Sequence, residues 1–112
     1  MKFRVTRVIA SALAVTLWSV AAMAQTREEP EPRSNLNVEE LFSSTCGFCH
    51  IDGGREAGRG PQLMDTKRSD DFIRNRIKNG KPGAMPAFGA SFSDEDINAI
   101  IYYIRHLKPE KG

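Results

Sequence analysis

The run Cys46-Gly47-Phe48-Cys49-His50 constrains this chain more than any other stretch. Two thiols three positions apart fall on one side of a single turn, within reach of two vinyl groups on the same porphyrin. Each can add across one of them as a thioether. The next residue, His50, is then held beneath the ring, where its imidazole can bind the iron. This C-x-x-C-H spacing is the attachment signature of a c-type haem. Gly47 and Phe48 set the bend between the anchors. Two other readings compete. A thioredoxin-like redox pair belongs beside a βαβ pattern, and no strand run of that kind is present. A zinc site needs further ligands, but beyond the motif the chain has no cysteine and one other histidine, His106.

The first residues read as an export signal. Lys2, Arg4 and Arg7 precede an apolar run from Val8 to Val20, and Ala22-Met23-Ala24 offers the small residues a signal peptidase reads. Residues 1–24 are therefore expected to be removed before Gln25. The alternative is an uncleaved anchor, but the apolar run falls short of the ~20 residues that span a membrane. With both cysteines in one motif, none is left for a structural disulfide. That fits a periplasm or equivalent compartment, with no stable membrane insertion after cleavage.

Loss of Lys2, Arg4 and Arg7 takes the 16 Lys and Arg down to 13, against 14 Asp and Glu. The precursor's positive charge is therefore no footprint of nucleic-acid binding, and there is no basic tail or aromatic platform to support one. Residues 25–112 are enough for one domain, expected as a monomer with a limited core of its own. A fixed haem, apolar on both faces, would complete that core.

Gln25 to Ser34 is polar and proline-containing, and reads as a disordered lead-in to a domain over 35–112. Asn37 and Glu40 suggest a capped helix start. Val38, Leu41, Phe42, Thr45 and Cys49 continue at helical spacing, which predicts one helix carrying Cys46 and Cys49 to its C-terminal end at His50. Residues 51–62 form a glycine-rich loop; without GK[ST] or a preceding strand it is no phosphate cradle. The Pro61 carbonyl could accept the Nδ1–H of His50, the kind of support that fixes a ligating imidazole. Leu63 to Lys67 is ambiguous.

Ser69 caps a second helix, opened by Asp70 and Asp71 and ended at Asn79-Gly80. Its predicted buried stripe is Ile73, Ile77 and Phe72. Lys67, Arg68, Arg74, Arg76, Lys78 and Lys81 make this segment basic; it reads as a solvated face or as a docking face for an acidic partner. Residues 81–92 form an extended loop whose Met85, Pro86 and Phe88 suit the second face of a haem. Met85 is the expected second iron ligand, because a thioether is a good partner for haem iron. Met64 is its rival, but the stretch from His50 to Met64 already contains the glycine-rich loop. Ser93, Asp94, Glu95 and Asp96 open a last helix with an apolar stripe of Ile97, Ile100, Ile101, Ile104 and Leu107, stopped by Pro109. His106, near that terminus, reads as a surface residue.

With these pieces placed, residues 35–108 resemble the class I c-type cytochromes. The matching segments are Leu41-Phe42, Cys46-Gly47-Phe48-Cys49-His50, Gly60-Pro61-Gln62-Leu63, Gly83-Ala84-Met85-Pro86-Ala87-Phe88, Ser93-Asp94-Glu95-Asp96-Ile97 and Tyr103-Ile104. The resemblance implies an all-α fold of three to four helices around one covalent haem c. It implies Cys46 and Cys49 as anchors, His50 and Met85 as iron ligands, Pro61 as support for His50, and Phe42 with Tyr103 at the crossing of the terminal helices. Two positions depart from the pattern. Val38 stands where the family often has glycine, implying a wider or shifted crossing. Ile51 replaces the glycine that commonly follows the ligating histidine.

The function implied is one-electron transfer, with no bond made or broken in a substrate. By resemblance the donor is a periplasmic dehydrogenase, of the quinoprotein type in similar proteins, and the acceptor a terminal oxidase or another cytochrome. A haem subunit of a larger oxidoreductase is also consistent. A ligand sensor with a displaceable Met85 is the reading from another class, although the chain has no output domain. Peroxidase-like activity would need an open iron and a distal acid–base group.

Overall fold

The computed structural model describes residues 29–110; the expected signal segment, residues 1–24, and the first part of the lead-in lie outside them. Three α-helices follow in order: α1 (Val38–Ser43), α2 (Asp70–Asn79) and α3 (Asp94–Arg105). Short 3-10 turns at Cys46–Phe48 and Asp52–Gly54 lie between α1 and α2. Among the described residues there is no β-strand, only one isolated bridge between Lys81 and Met85.

α1 is shorter than its periodicity predicts. Asn37 accepts from the Glu40 N–H at 3.0 Å, so the asparagine half of a cap is formed. The helix stops at Ser43 because the Ser43 and Ser44 hydroxyls and the Ser44 N–H all donate to the Glu40 carbonyl, at 2.9, 2.8 and 3.1 Å. Such local hydroxyl-to-carbonyl bonds compete with helix continuation. The chain turns at Ser44 and begins a new, tighter turn at Cys46.

α2 and α3 begin where the sequence places them. Ser69 accepts from the Phe72 N–H at 3.2 Å, and Gly80 ends α2 at φ 64°. Ser93 and Asp96 form a full capping box. α3 supplies most of the core: Ile97, Ile100, Ile101, Ile104 and the following Leu107 are buried, joined by Phe42, Ile73 and Ile77. Phe72 is the exception to the expected stripe. It is 38% exposed and points outward from α2. α3 ends at Arg105, with His106 as its cap, short of Pro109. A residue before proline is pushed out of helical geometry, so the helix closes ahead of it.

The terminal helices meet through Phe42 stacked on Tyr103, ring centroids 4.6 Å apart. Val38, at the position where the family often has glycine, is half-buried against the core. Tyr103 donates its phenol proton to the Gly53 carbonyl at 2.9 Å, and burial raises the phenol's pKa, so the donor stays protonated. Arg105 holds the stretch before α2 against α3 through Asp70 and the Thr66 and Arg68 carbonyls. Ser34, in the described part of the lead-in, donates to Asp96 at 2.6 Å across 62 positions of sequence.

Two outcomes are expected. Ile97 has 0% exposure, so Ile97→Ala should cost about 2–5 kcal/mol in denaturant unfolding of the haem-loaded protein. The Asp96 carboxyl lies below its ordinary value of 3.8, held there chiefly by Ser34 and then by Ser93. Its contribution to stability is therefore complete above the ordinary carboxylate range and is lost as pH falls through the lowered value. Unfolding midpoints measured from about pH 5 down to about pH 2 should drop less steeply in Asp96→Asn than in the parent.

Candidate functional site

The Cys46–Phe48 turn is closed by the Cys49 and His50 N–H groups, which both donate to the Cys46 carbonyl, at 3.2 and 2.9 Å. One turn of chain thus carries both thiols and ends on the imidazole. Both cysteines are free and half-buried. Burial pushes the Cys46 thiol up to about 11, so it remains protonated at neutral pH. That is the opposite of the lowered pKa that marks a reactive or metal-binding thiolate. Among the described residues no group of three or more His, Cys, Asp or Glu could hold a metal ion, and no βαβ unit stands beside the motif. The zinc and thioredoxin-like readings have no support here.

His50 is the one buried polar side chain among the described residues. Its Nδ1 lies 2.8 Å from the Pro61 carbonyl oxygen. A carbonyl can only accept, so Nδ1 carries the proton and Nε2 is left with its lone pair. The loop that brings Pro61 here is not irregular chain. The Gly54 N–H donates to His50 and Ile51 carbonyls, Glu56 N–H returns to Ile51, and Gly60 N–H donates to Cys49 at 2.9 Å. The loop therefore starts and ends on the motif. Gly60 lies flat against the imidazole: a Cβ there would come within 2.6 Å of Cε1 and 2.9 Å of Nδ1. Sequence reading passes over this contact, although a glycine directly before the supporting proline is its signature.

The residues present fit a haem. Two thiols on one turn suit thioether formation, and an imidazole with Nδ1 committed presents Nε2 as a ligand. Leu63, Met85, Phe88 and Phe92 are half-buried against the core, leaving apolar surface for a flat apolar group to cover.

Met85 sits at the end of a tight turn. The Lys81 N–H donates to the Met85 carbonyl and the Met85 N–H to the Lys81 carbonyl, both at 2.8 Å. Phe88 and Gly89 then donate to the Ile77 and Lys78 carbonyls at the end of α2. Residues 81–92 are thus pinned to α2 rather than extended. Gly80 makes this possible: its φ is 64°, and a Cβ there would strike the Met85 and Pro86 backbone. Pro86, expected with Met85 and Phe88 on an apolar face, is exposed. The rival, Met64, is tied elsewhere. Its N–H and that of Leu63 donate to Gly54, four residues after His50. His106 is exposed and stacks on Tyr102 at 3.9 Å. Phe48 and Ile51, beside the motif, are exposed apolar side chains at 83% and 44%.

Residues 34–104 match the family described as cytochrome c oxidase, cbb3-type, subunit III. The chain is 38% identical over 80 residues to cytochrome c6 of Gracilaria tenuistipitata var. liui, covering 66% of this chain and 72% of that protein. Among solved structures it is similar to cytochrome cL from Hyphomicrobium denitrificans, with 27% identity and a TM-score of 0.53, over 62% of this chain and 44% of that one. It is also similar to a chain in the structure of p-cresol methylhydroxylase with substrate bound. There the identity is 33% and the TM-score 0.51, over 64% of this chain and 93% of that one.

The Gly60 contact generates a prediction. Gly60→Ala should force the imidazole away from Pro61 and lower the stability of the haem-loaded protein by about 1–3 kcal/mol. Its nuclear magnetic resonance spectrum should show displaced His50 ring resonances. Unmoved ring resonances would show that the loop gives way instead of the imidazole.

Proposed function

This chain belongs to the class I c-type cytochromes, and from that premise we propose that it is a periplasmic electron carrier whose single haem c is ligated by His50 and Met85. Attachment of one haem c through Cys46 and Cys49 and a role in electron transfer, not in catalysis, come with the family. Ligation, compartment and partners are the proposal. The carrying observation is the 2.8 Å contact between His50 Nδ1 and the Pro61 carbonyl, which leaves Nε2 for the iron.

When bound, the haem supplies an iron that cycles between ferrous and ferric states. Everything else falls to the chain. Cys46 and Cys49 fix the ring in one orientation. Pro61 raises the donor strength of His50 by accepting its Nδ1 proton, as such partners do for ligating histidines. The Lys81–Met85 turn holds a soft thioether at the end of α2, and ligation of a haem by Met85 together with His50 would raise its reduction potential. The backbone bonds that hold this turn favour a closed iron over a sensor with a displaceable ligand. The placement of Met64 on the His50 side of the loop supports Met85 as the ligand.

We assign residues 1–24 as a cleaved export signal and residues 35–112 as the haem domain. No helix among the described residues is long and apolar enough to cross a membrane. The donor we propose is a periplasmic dehydrogenase, of the quinoprotein type by resemblance, and the acceptor a terminal oxidase or another cytochrome. Similarity to a chain in the structure of p-cresol methylhydroxylase supports a redox enzyme as donor. The family's description as an oxidase subunit supports the acceptor, and is equally consistent with a place inside a larger complex.

Optical spectra test the ligation. The oxidised haem-loaded protein should show a sulfur-to-iron charge-transfer band, and the reduced protein should ignore carbon monoxide. Met85→Ala should abolish the band and admit carbon monoxide, whereas Met64→Ala should do neither. A band that survives Met85→Ala would refute Met85 as ligand.

A further inference from the structure

α2 carries a stripe that the fold does not use. Phe72 and Arg76 lie one turn apart on α2, and Arg68, just ahead of the Ser69 cap, reaches the same ring from the other side. Both guanidinium carbons lie within cation–π range of the Phe72 ring, at 4.7 and 5.1 Å from its centroid. The ring is 38% exposed, so core burial does not account for it. Residues 67–81 hold six basic and two acidic side chains, while the rest of the described chain holds five basic and eleven acidic ones. Of the carboxylates beside the stripe, Asp70 is engaged by Arg105 and Asp94 by Lys78, which leaves Asp71 as the one acidic side chain of residues 67–81 outside an ion pair. Among the described residues, Lys67, Arg68, Arg74, Arg76 and Lys81 have no ion-pair partner.

The stripe also has a destination. α2 ends at Asn79, and two residues later Lys81 pairs with Met85 through both backbone bonds. The basic surface therefore runs into the turn that presents Met85.

We infer that the Arg68–Phe72–Arg76 stripe, with Lys67, Arg74 and Lys81, is the docking face for the acidic surface of a redox-partner protein. This inference rests on the electron-carrier reading, since it brings the partner against the Met85 turn. Arginines held against a ring surrender less side-chain freedom on binding, and their planar forks match carboxylates. Phe72 supplies an apolar anchor among the charges. The charge division selects a protein. An anionic membrane or a polynucleotide presents negative charge over a wide area and would repel the eleven carboxylates outside the stripe. A confined acidic patch meets only the stripe.

The test uses the haem-loaded protein, with Arg68→Glu/Arg76→Glu, Phe72→Ala, and Arg33→Glu/Lys108→Glu as a control of equal charge change. Poly-L-glutamate should shift amide resonances of residues 67–81 and the Met85 turn, and Phe72→Ala should weaken that binding. Oxidation by hexacyanoferrate(III) moves one electron from ferrous iron to the reagent, which leaves as hexacyanoferrate(II). At low salt Arg68→Glu/Arg76→Glu should slow it about tenfold, speed oxidation by cationic tris(phenanthroline)cobalt(III), and lose both effects at high salt. The control should change either rate by less than about twofold.

Equal effects from the two double variants, or shifts scattered over the surface, would overturn the inference. Sedimentation with phosphatidylglycerol vesicles that is abolished by Arg68→Glu/Arg76→Glu would assign the stripe to a membrane instead. If that variant keeps the sulfur-to-iron band but leaves both rates unchanged, the docking face fails and the carrier stands. If the parent protein lacks the band, the carrier reading fails first.

Discussion

A neutral imidazole has one proton to donate, and in this chain the Pro61 carbonyl accepts it at 2.8 Å. Much of the loop from Ile51 to Gln62 follows from that contact. A proline carbonyl has no N–H beside it to seek another partner, and the fixed φ of proline limits how far the oxygen can swing. The loop must nevertheless return to within a van der Waals radius of the ring it supports. It does so by bonding Gly60 back to Cys49 and by placing a residue without a Cβ against the imidazole. A side chain at Gly60 would separate donor from acceptor. The histidine's orientation is thus set by backbone, which is less free to rearrange than another side chain would be.

The same economy governs the core. The buried apolar side chains come mainly from one face of α3, with Phe42 and two isoleucines of α2 joining them. A core of that size is marginal for an independent domain. Its borders are closed by bonds of long sequence separation: Ser34 to Asp96, Tyr103 to Gly53, and Arg105 to the stretch before α2. What remains half-buried, Leu63, Met85, Phe88 and Phe92, lies at the edge of this core. A covalently held apolar ring would extend the core there without adding chain length. Thioether attachment also keeps the ring in place when local segments open, which a small core cannot do alone.

Sequence logic is strongest where chemistry is local. Ser69, Gly80 and Ser93 mark helix ends because a cap needs a particular side chain or a particular φ, and both are read directly from residue type. The His50–Pro61 contact was legible from the need of a ligating imidazole for an acceptor. The break in α1 was not, because helical spacing of apolar residues continues through Ser43 and Ser44 while their hydroxyls take the Glu40 carbonyl. Phe72 also misled: its spacing from Ile73 and Ile77 allows burial, and only the arginines one turn away on each side give it another place. The tie from Ser34 to Asp96 and the closure of the Met85 turn depend on segments distant in sequence or on backbone pairing. Neither leaves a residue pattern to read.

One element connects ligand placement with charge. α2 is fixed to α3 through Ile73 and Ile77, and its last carbonyls anchor the segment after Met85. Its outward side bears Phe72 and Arg76, with Arg68 against the same ring from just ahead of the helix. A load applied to that side is carried by the helix to the core, while the Met85 turn is held by backbone bonds that do not involve the arginine side chains. A partner can therefore press on the basic stripe without pulling the thioether from its position. This separation matters for an electron carrier, whose iron must keep the same ligands in both oxidation states and in free and docked forms. Had the cations been placed on the 81–92 segment itself, each encounter would have strained the turn. With the others on α2 or just ahead of it, only Lys81 lies on that segment, and its backbone rather than its ammonium group forms the bridge to Met85.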